Sequence, residues 1–294
     1  MRQTRGTLIP LGLAFVAAFI TLVPLWYLVT QSLSRGLQPF LDEVFQERTM
    51  TLIIRSTVLV SAVTLMSAVI GTFTAWVVTL SGVRGRLPLT IVFSLPLAIP
   101  SYLSAFAWIS WKPELSGFWG SFIVLTFACY PYVMLPVSAA MSRLDPVHED
   151  IARTMGRSTL GIFREVVLPQ LRRSITSGSL LVALYAFSDF GAVAAMRHEV
   201  FTWVIYGAYR AGFNPTRAAS LSVVLVIAAL ALTYAESITR GRDDSSKKGT
   251  TSRRRRRNTS WPFVIFTSIG TLVVVLPGVV VPVVNIASWL GRSS

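Results

Sequence analysis

Long apolar runs alternate with short polar segments along almost the whole chain, and each run has the length of a bilayer-spanning helix. Such a helix needs about 20 predominantly apolar residues. Seven stretches reach or approach that length: Leu8 to Leu33, Leu52 to Leu80, Leu87 to Ile109, Phe118 to Met141, Ile175 to Ala195, Ala218 to Ala235 and Trp261 to Ser288. The runs are continuous and leucine-rich, whereas barrel strands alternate polarity over about 10 residues, so the pattern predicts helices and argues against a barrel. The expected fold is an all-α membrane protein, a polytopic helical bundle of about seven spans. Arg2 and Arg5 precede the first run as they would in a signal peptide. That run exceeds the roughly 7–15 apolar residues of a signal core and no A-x-A cleavage site follows, so it is read as a retained helix.

Composition agrees with this reading. Of 294 residues 53% are hydrophobic and 14% charged, and the mean hydropathy is +0.61, well above that of soluble domains. A net charge of +14 raises nucleic acid as a partner, and the placement of the charge removes it. Alternate loops collect Arg2 and Arg5; Arg84 and Arg86; Arg143, Arg153, Arg157, Arg164, Arg172 and Arg173; then Arg240, Arg242, Lys247, Lys248 and Arg253 to Arg257. The other loops mix Arg35, Arg48, Lys112, Arg197, Arg210, Arg217 and Arg292 with Asp42, Glu43, Glu47, Glu114 and Glu199, while Arg55 stands near a helix end. Basic loops stay cytoplasmic because moving them across the membrane, against its potential and away from anionic headgroups, is unfavourable. The amino terminus and the loop from about Ser142 to Ser174 are therefore expected inside, and the carboxyl terminus outside. The run Arg253 to Arg257 is either a topology anchor or a contact for anionic membrane lipid or a partner.

Within the cytoplasmic loop, Asp145 to Gly156 has the marks of a short capped helix. Asp145 suits the N-cap, Pro146 the first helical position, and Glu149 and Asp150 the positive end of the dipole, while Gly156 supplies the stop. Leu144, Val147, Ile151 and Met155 recur at spacings of three and four, giving a narrow apolar stripe on a charged helix. A second helix-forming stretch, Ser158 to Leu168, is expected to end at Pro169. On these residues alone, the pair either docks in a partner's groove or lies on its own bundle.

The loop resembles the signature segment of binding-protein-dependent ABC importer permeases, E-A-A, three residues, G, nine residues, then I-x-L-P. Asp150, Ile151 and Ala152 occupy the E-A-A positions, Gly156 the glycine, Val166 the isoleucine, and Leu168 and Pro169 the closing pair. Asp for Glu and Ile for the first Ala depart from the pattern. The resemblance implies the type I importer permease fold in a prokaryotic plasma or inner membrane. It implies that the loop couples to separate ABC ATPase subunits, with an extracytoplasmic solute-binding protein delivering the solute. It extends over most of the first six runs and is closest to ferric-iron permeases, through Leu95 to Leu103, Tyr130 to Val133, Ser188 to Val193 and Phe201 to Tyr206. Thiamine, polyamine, phosphonate and sulfate permeases share the architecture.

Pro96 and Pro100 are expected to bend the third span, either as a packing kink or to release carbonyls into a polar passage. With Tyr130 they are candidates for the translocation path. So is Asp189, a carboxylate that either faces that path or sits at the interface, because an ionisable group in lipid is costly. The lone Cys129 and the separated His148 and His198 form no metal motif, and neither a catalytic constellation nor a cofactor motif stands out. Residues 1–239 read as a six-span permease half, 240–260 as a basic linker, and 261–294 as a helix resembling the start of a second half. Thr21 to Pro24 and Val274 to Pro277 form a weak repeat. A second permease half or chain is the expected partner. A gradient-driven secondary transporter, a membrane enzyme and a nonfunctional fragment are the competing classes.

Overall fold

The computed structural model describes residues 5–80, 86–144, 154–210, 212, 214–240 and 261–292. Among them every regular element is helical. In chain order these are α1 (Arg5–Ser32), α2 (Leu37–Phe45), α3 (Glu47–Leu80), α4 (Arg86–Ser94), a 3₁₀ turn (Leu95–Ala98), α5 (Ser101–Trp111) and α6 (Gly117–Met141). There follow α7 (Thr159–Ile162), a π turn (Phe163–Val167), α8 (Leu168–Ser188), α9 (Gly191–Ala195), α10 (Phe201–Arg210) and α11 (Pro215–Arg240). The last are α12 (Trp261–Val275), a π turn (Leu276–Val280) and α13 (Val281–Arg292).

Among the described residues, five helical segments are long and apolar enough to cross a membrane: Leu13–Ser32, Glu47–Thr79, Gly117–Met141, Pro215–Ala235 and Ile265–Trp289. A sixth is the pair Leu87–Ala98 and Ser101–Trp111, which meets at 90°. The seventh expected span, Ile175 to Ala195, falls short of that standard for two reasons. Its helix, α8, starts earlier, at Leu168, and carries Arg172, Arg173 and several Ser and Thr residues in its first half. It also stops at Asp189, before the separate α9. Its 21 residues nonetheless extend about 31 Å at 1.5 Å per residue.

Packing divides the chain into two units, Met1–Ile54 with Val200–Ala228, and Arg55–Glu199 with Ala229–Ser294. In the first, α2 and α10 are short helices that the run lengths missed. Leu37, Phe40, Leu41 and Val44, and likewise Phe201, Val204, Ile205 and Ala208, recur at helical spacing, the pattern of helices lying along an interface. Asn214 caps α11, its Oδ1 accepting from the Arg217 N–H at 3.1 Å, with Pro215 in the first position. The Arg217 side chain pairs with Glu43 at 2.9 Å.

The second unit is built on α6, half of whose span is buried, against none of the α1 span. Two glycines let its neighbours approach. A β-carbon at Gly71 of α3 would lie 2.7 Å from both Tyr130 O and Val133 Cβ, and one at Gly178 of α8 would lie 2.8 Å from Val133 Cα. Small residues at crossings are the usual route to tight helix contact in lipid, where no hydrophobic force separates helix from solvent. Arg55, which the charge pattern did not place, lies in α3 and pairs with Glu199 at 3.1 Å.

Candidate functional site

The signature segment divides at the edge of the described residues. Asp150, Ile151 and Ala152, with the proposed cap Asp145 and Pro146, lie outside them. Thr154 is helical, and Gly156 follows it with φ +77, the left-handed backbone in which glycine ends helices without steric cost.

The second half of the segment corrects an expectation. Pro169 does not end a helix. The chain runs from α7 through the π turn into α8 without a break, with Pro169 in the first turn of α8. An interior proline removes one backbone donor and its ring strikes the carbonyl four residues back. The π turn accommodates both, because its bonds close from i to i+5, as in Leu168 N–H to Phe163 O. Val166 sits within this turn and Leu168 at its end. Pro277, inside the π turn of Leu276–Val280, is accommodated in the same way.

At its far end α8 meets the bend of the third span. Asp189, 9% exposed, accepts from Ser101 Oγ–H at 2.5 Å through Oδ2 and from the Ala192 N–H at 2.9 Å through Oδ1. The carboxylate thus caps α9 and holds the first residue of α5, directly after Pro100. Gly191 permits the closeness, since a β-carbon there would lie 2.9 Å from Tyr102 Cβ. On the other side of the bend Tyr130, fully buried, donates its Oη–H to Phe93 O at 2.8 Å. Pro96 is buried within the 3₁₀ turn and Pro100 stands before α5. The prolines therefore do bend the span, and a buried phenol takes up a carbonyl beside the break. Ser101, Phe93 and the glycines were not singled out from sequence. Ser101 follows Pro100 directly, and its adjacency to a proline break was the available signal.

Outside the spans, the turn after α9 ends in a Schellman arrangement. His198 N–H donates to Val193 O and Arg197 N–H to Ala194 O, with Arg197 at φ 56. The His198 ring packs edge-on against Phe118. Burial, then the positive charge of Arg55, hold its pKa below the ordinary 6.5, with Glu199 opposing.

With this geometry in view, the family comparison is decisive. Residues 67–285 match the family described as binding-protein-dependent transport system inner membrane component. The chain belongs to that family. It is an inner-membrane, multi-pass ABC importer permease component, as the spans and the signature segment led one to expect. Among its relatives, the Fe(3+)-transport system permease protein FbpB 2 of Haemophilus influenzae is 32% identical over 220 residues. That similarity covers 75% of this chain and 44% of the relative, so the permease component spans less than half of that protein's length. The sulfate transport system permease protein CysT of Salmonella typhimurium is 26% identical over 254 residues, covering 79% of this chain and 91% of the other. In fold, the component is similar to a chain of a bacterial ABC transporter importing the acidic polysaccharide alginate. The TM-score is 0.62 at 13% identity, covering 82% of this chain and 97% of that one.

Proposed function

We propose that this permease component forms part of the translocation pathway of an ATP-driven importer and that the segment 142–174 couples it to a separate ATPase subunit. A solute-binding protein on the outer face delivers the solute, and a second permease half completes the pathway. The chain itself does not hydrolyse ATP. The observation that supports this is the unbroken helix from Thr159 to Ser188, which joins the signature segment to the Asp189–Ser101 contact at the bend of the third span. Motion of an ATPase at one end of such a rod reaches the bend as a displacement, because the helix continues through Pro169 and α8 is seated on α6 through Gly178. That displacement is taken up at the α8–α9 junction and at the bend itself.

Ferric iron is the proposed solute, on the strength of the 32% identical relative. Sulfate is the second reading, because the sulfate permease relative matches over nearly its whole length. Asp189 does not choose between them, since both of its oxygens are engaged by Ser101 and Ala192. The test is uptake in cells lacking the chain. Restored labelled ferric iron uptake on re-expression, with sulfate uptake unaffected, supports iron; the reverse outcome overturns it in favour of sulfate. Restoration of neither removes both solutes from consideration.

A further inference from the structure

The second unit carries an open, apolar groove of about 610 Å³ beside the π turn. Its α3 wall runs from Leu65 to Trp76, Phe266 of α12 closes one side, and Phe163, Leu168 and Ile175 form the other. Among the described residues Thr72 is the one polar side chain in the lining. The volume falls within the roughly 300–1,000 Å³ of small-molecule sites.

The π turn makes this wall. In a regular α-helix, residues five apart point in different directions, at about 100° per residue. The i to i+5 closure brings Phe163 over Leu168 instead, and Ile175, two α-turns on, continues the stripe. The Phe163 ring meets Trp76 edge-on at 6.5 Å, sealing the end of the groove nearest the loop. Arg172 is exposed, four residues after Leu168 and three before Ile175, so it lies on the same helical face as the stripe. Arg164, also exposed, follows Phe163 directly.

We propose that this groove is a binding site for one acyl chain of an anionic phospholipid, whose phosphate is held by Arg172. The inference goes beyond the coupling assignment and stands whether or not the segment binds an ATPase. Apolar walls exclude a polar solute. A surface open to the hydrocarbon admits a lipid tail, and a guanidinium on the groove's own face supplies the charge complementarity that distinguishes an anionic head from a zwitterionic one. A tail seated there braces Phe163 against α3 and so sets the stiffness of the junction between loop and α8.

The experiment uses the full chain in phosphatidylcholine nanodiscs with a small admixture of diazirine-tailed phosphatidylglycerol. Photolabel is expected to concentrate in peptides Leu65–Trp76 and Phe163–Ile175 rather than in the equally lipid-accessible α1. Ala68→Phe, which fills the groove, lowers that label about tenfold, the loss of roughly two buried methylenes of contact. Val69→Trp narrows the mouth from its exposed side and serves if Ala68→Phe does not fold. Arg172→Gln lowers the preference for phosphatidylglycerol over a diazirine-tailed phosphatidylcholine about fivefold. Label spread evenly over groove and α1, or unchanged by both filling variants, overturns the site. Equal labelling by the two headgroups in the unsubstituted chain overturns the anionic assignment. Loss of label when a second permease chain is co-reconstituted makes the groove a protein interface and overturns the proposal likewise.

Discussion

Replacing Gly178 by alanine tests whether α8 is seated on α6 as closely as the rod mechanism requires. The added β-carbon would lie 2.8 Å from Val133 Cα and 2.9 Å from Tyr132 O, both backbone atoms that no rotamer change can move. Carbon atoms in favourable contact stand about 3.5–4.0 Å apart, so the helices must separate by roughly 0.7–1.2 Å along that line. Overpacking of this kind costs about 1–3 kcal/mol. Alanine returns about 0.8–1 kcal/mol through helix propensity, leaving a net loss of up to about 2 kcal/mol. Gly207 of α10 provides the opposite sign from the same substitution. A β-carbon there meets nothing within 4 Å, so Gly207→Ala is expected to stabilise by up to about 1 kcal/mol. Unfolding by sodium dodecyl sulfate in mixed micelles measures both, avoiding the irreversibility of thermal scans. Shifts of the same sign in the two variants would refute the reasoning. A Gly71→Ala, Gly178→Ala pair adds a check, because both β-carbons press on Val133 and their effects should therefore couple.

Ser101→Ala removes a hydrogen bond to a buried carboxylate and is expected to cost about 1.5–3 kcal/mol in the same unfolding assay. Asp189→Asn, which keeps an acceptor for Ala192, should cost less than Asp189→Ala. Arg197→Gly relieves a side chain held at φ 56 and should stabilise by about 0.5–1 kcal/mol. His198 has a folded-state pKa below its ordinary 6.5, so the unfolded chain takes up the proton first as pH falls. Its contribution is complete above pH 6.5 and is lost as pH drops through the lower folded-state value. His198→Phe, which keeps a ring against Phe118, should flatten that acid-side decline in a pH series.

The long apolar spans were legible because lipid demands continuous hydrophobic length, and the limits of α6 were read to within one residue, from Phe118 to Met141 against Gly117–Met141. The bend at Pro96 and Pro100 was legible as well, since two prolines four apart each remove a backbone donor and crowd the preceding turn. By contrast, α8 was read short because its first half is polar. Hydropathy registers lipid exposure, not contact with other helices, and Leu171 and Gly178 are buried in this helix. Pro169 misled because a proline normally stops a helix, and nothing local announces the π turn that absorbs it. Tyr130 was named as a candidate for the translocation path; its hydrogen bond to the Phe93 carbonyl was not legible, because a phenol with an apolar body and one polar tip does not announce its partner in the sequence. The small helices α2 and α10 carried helical spacing, but in segments too short to register as spans.

The most direct test of the account is to break the rod without touching either end. Replacing Thr176, Ser177 and Ser179 by glycines, beside the native Gly178, interrupts α8 between the signature segment and Asp189 while leaving Gly156, Val166, Pro169, Asp189 and Ser101 in place. In the assembled, reconstituted transporter ATP hydrolysis is expected to persist while solute uptake and its stimulation by the binding protein are lost. Uptake undiminished by that replacement would contradict it.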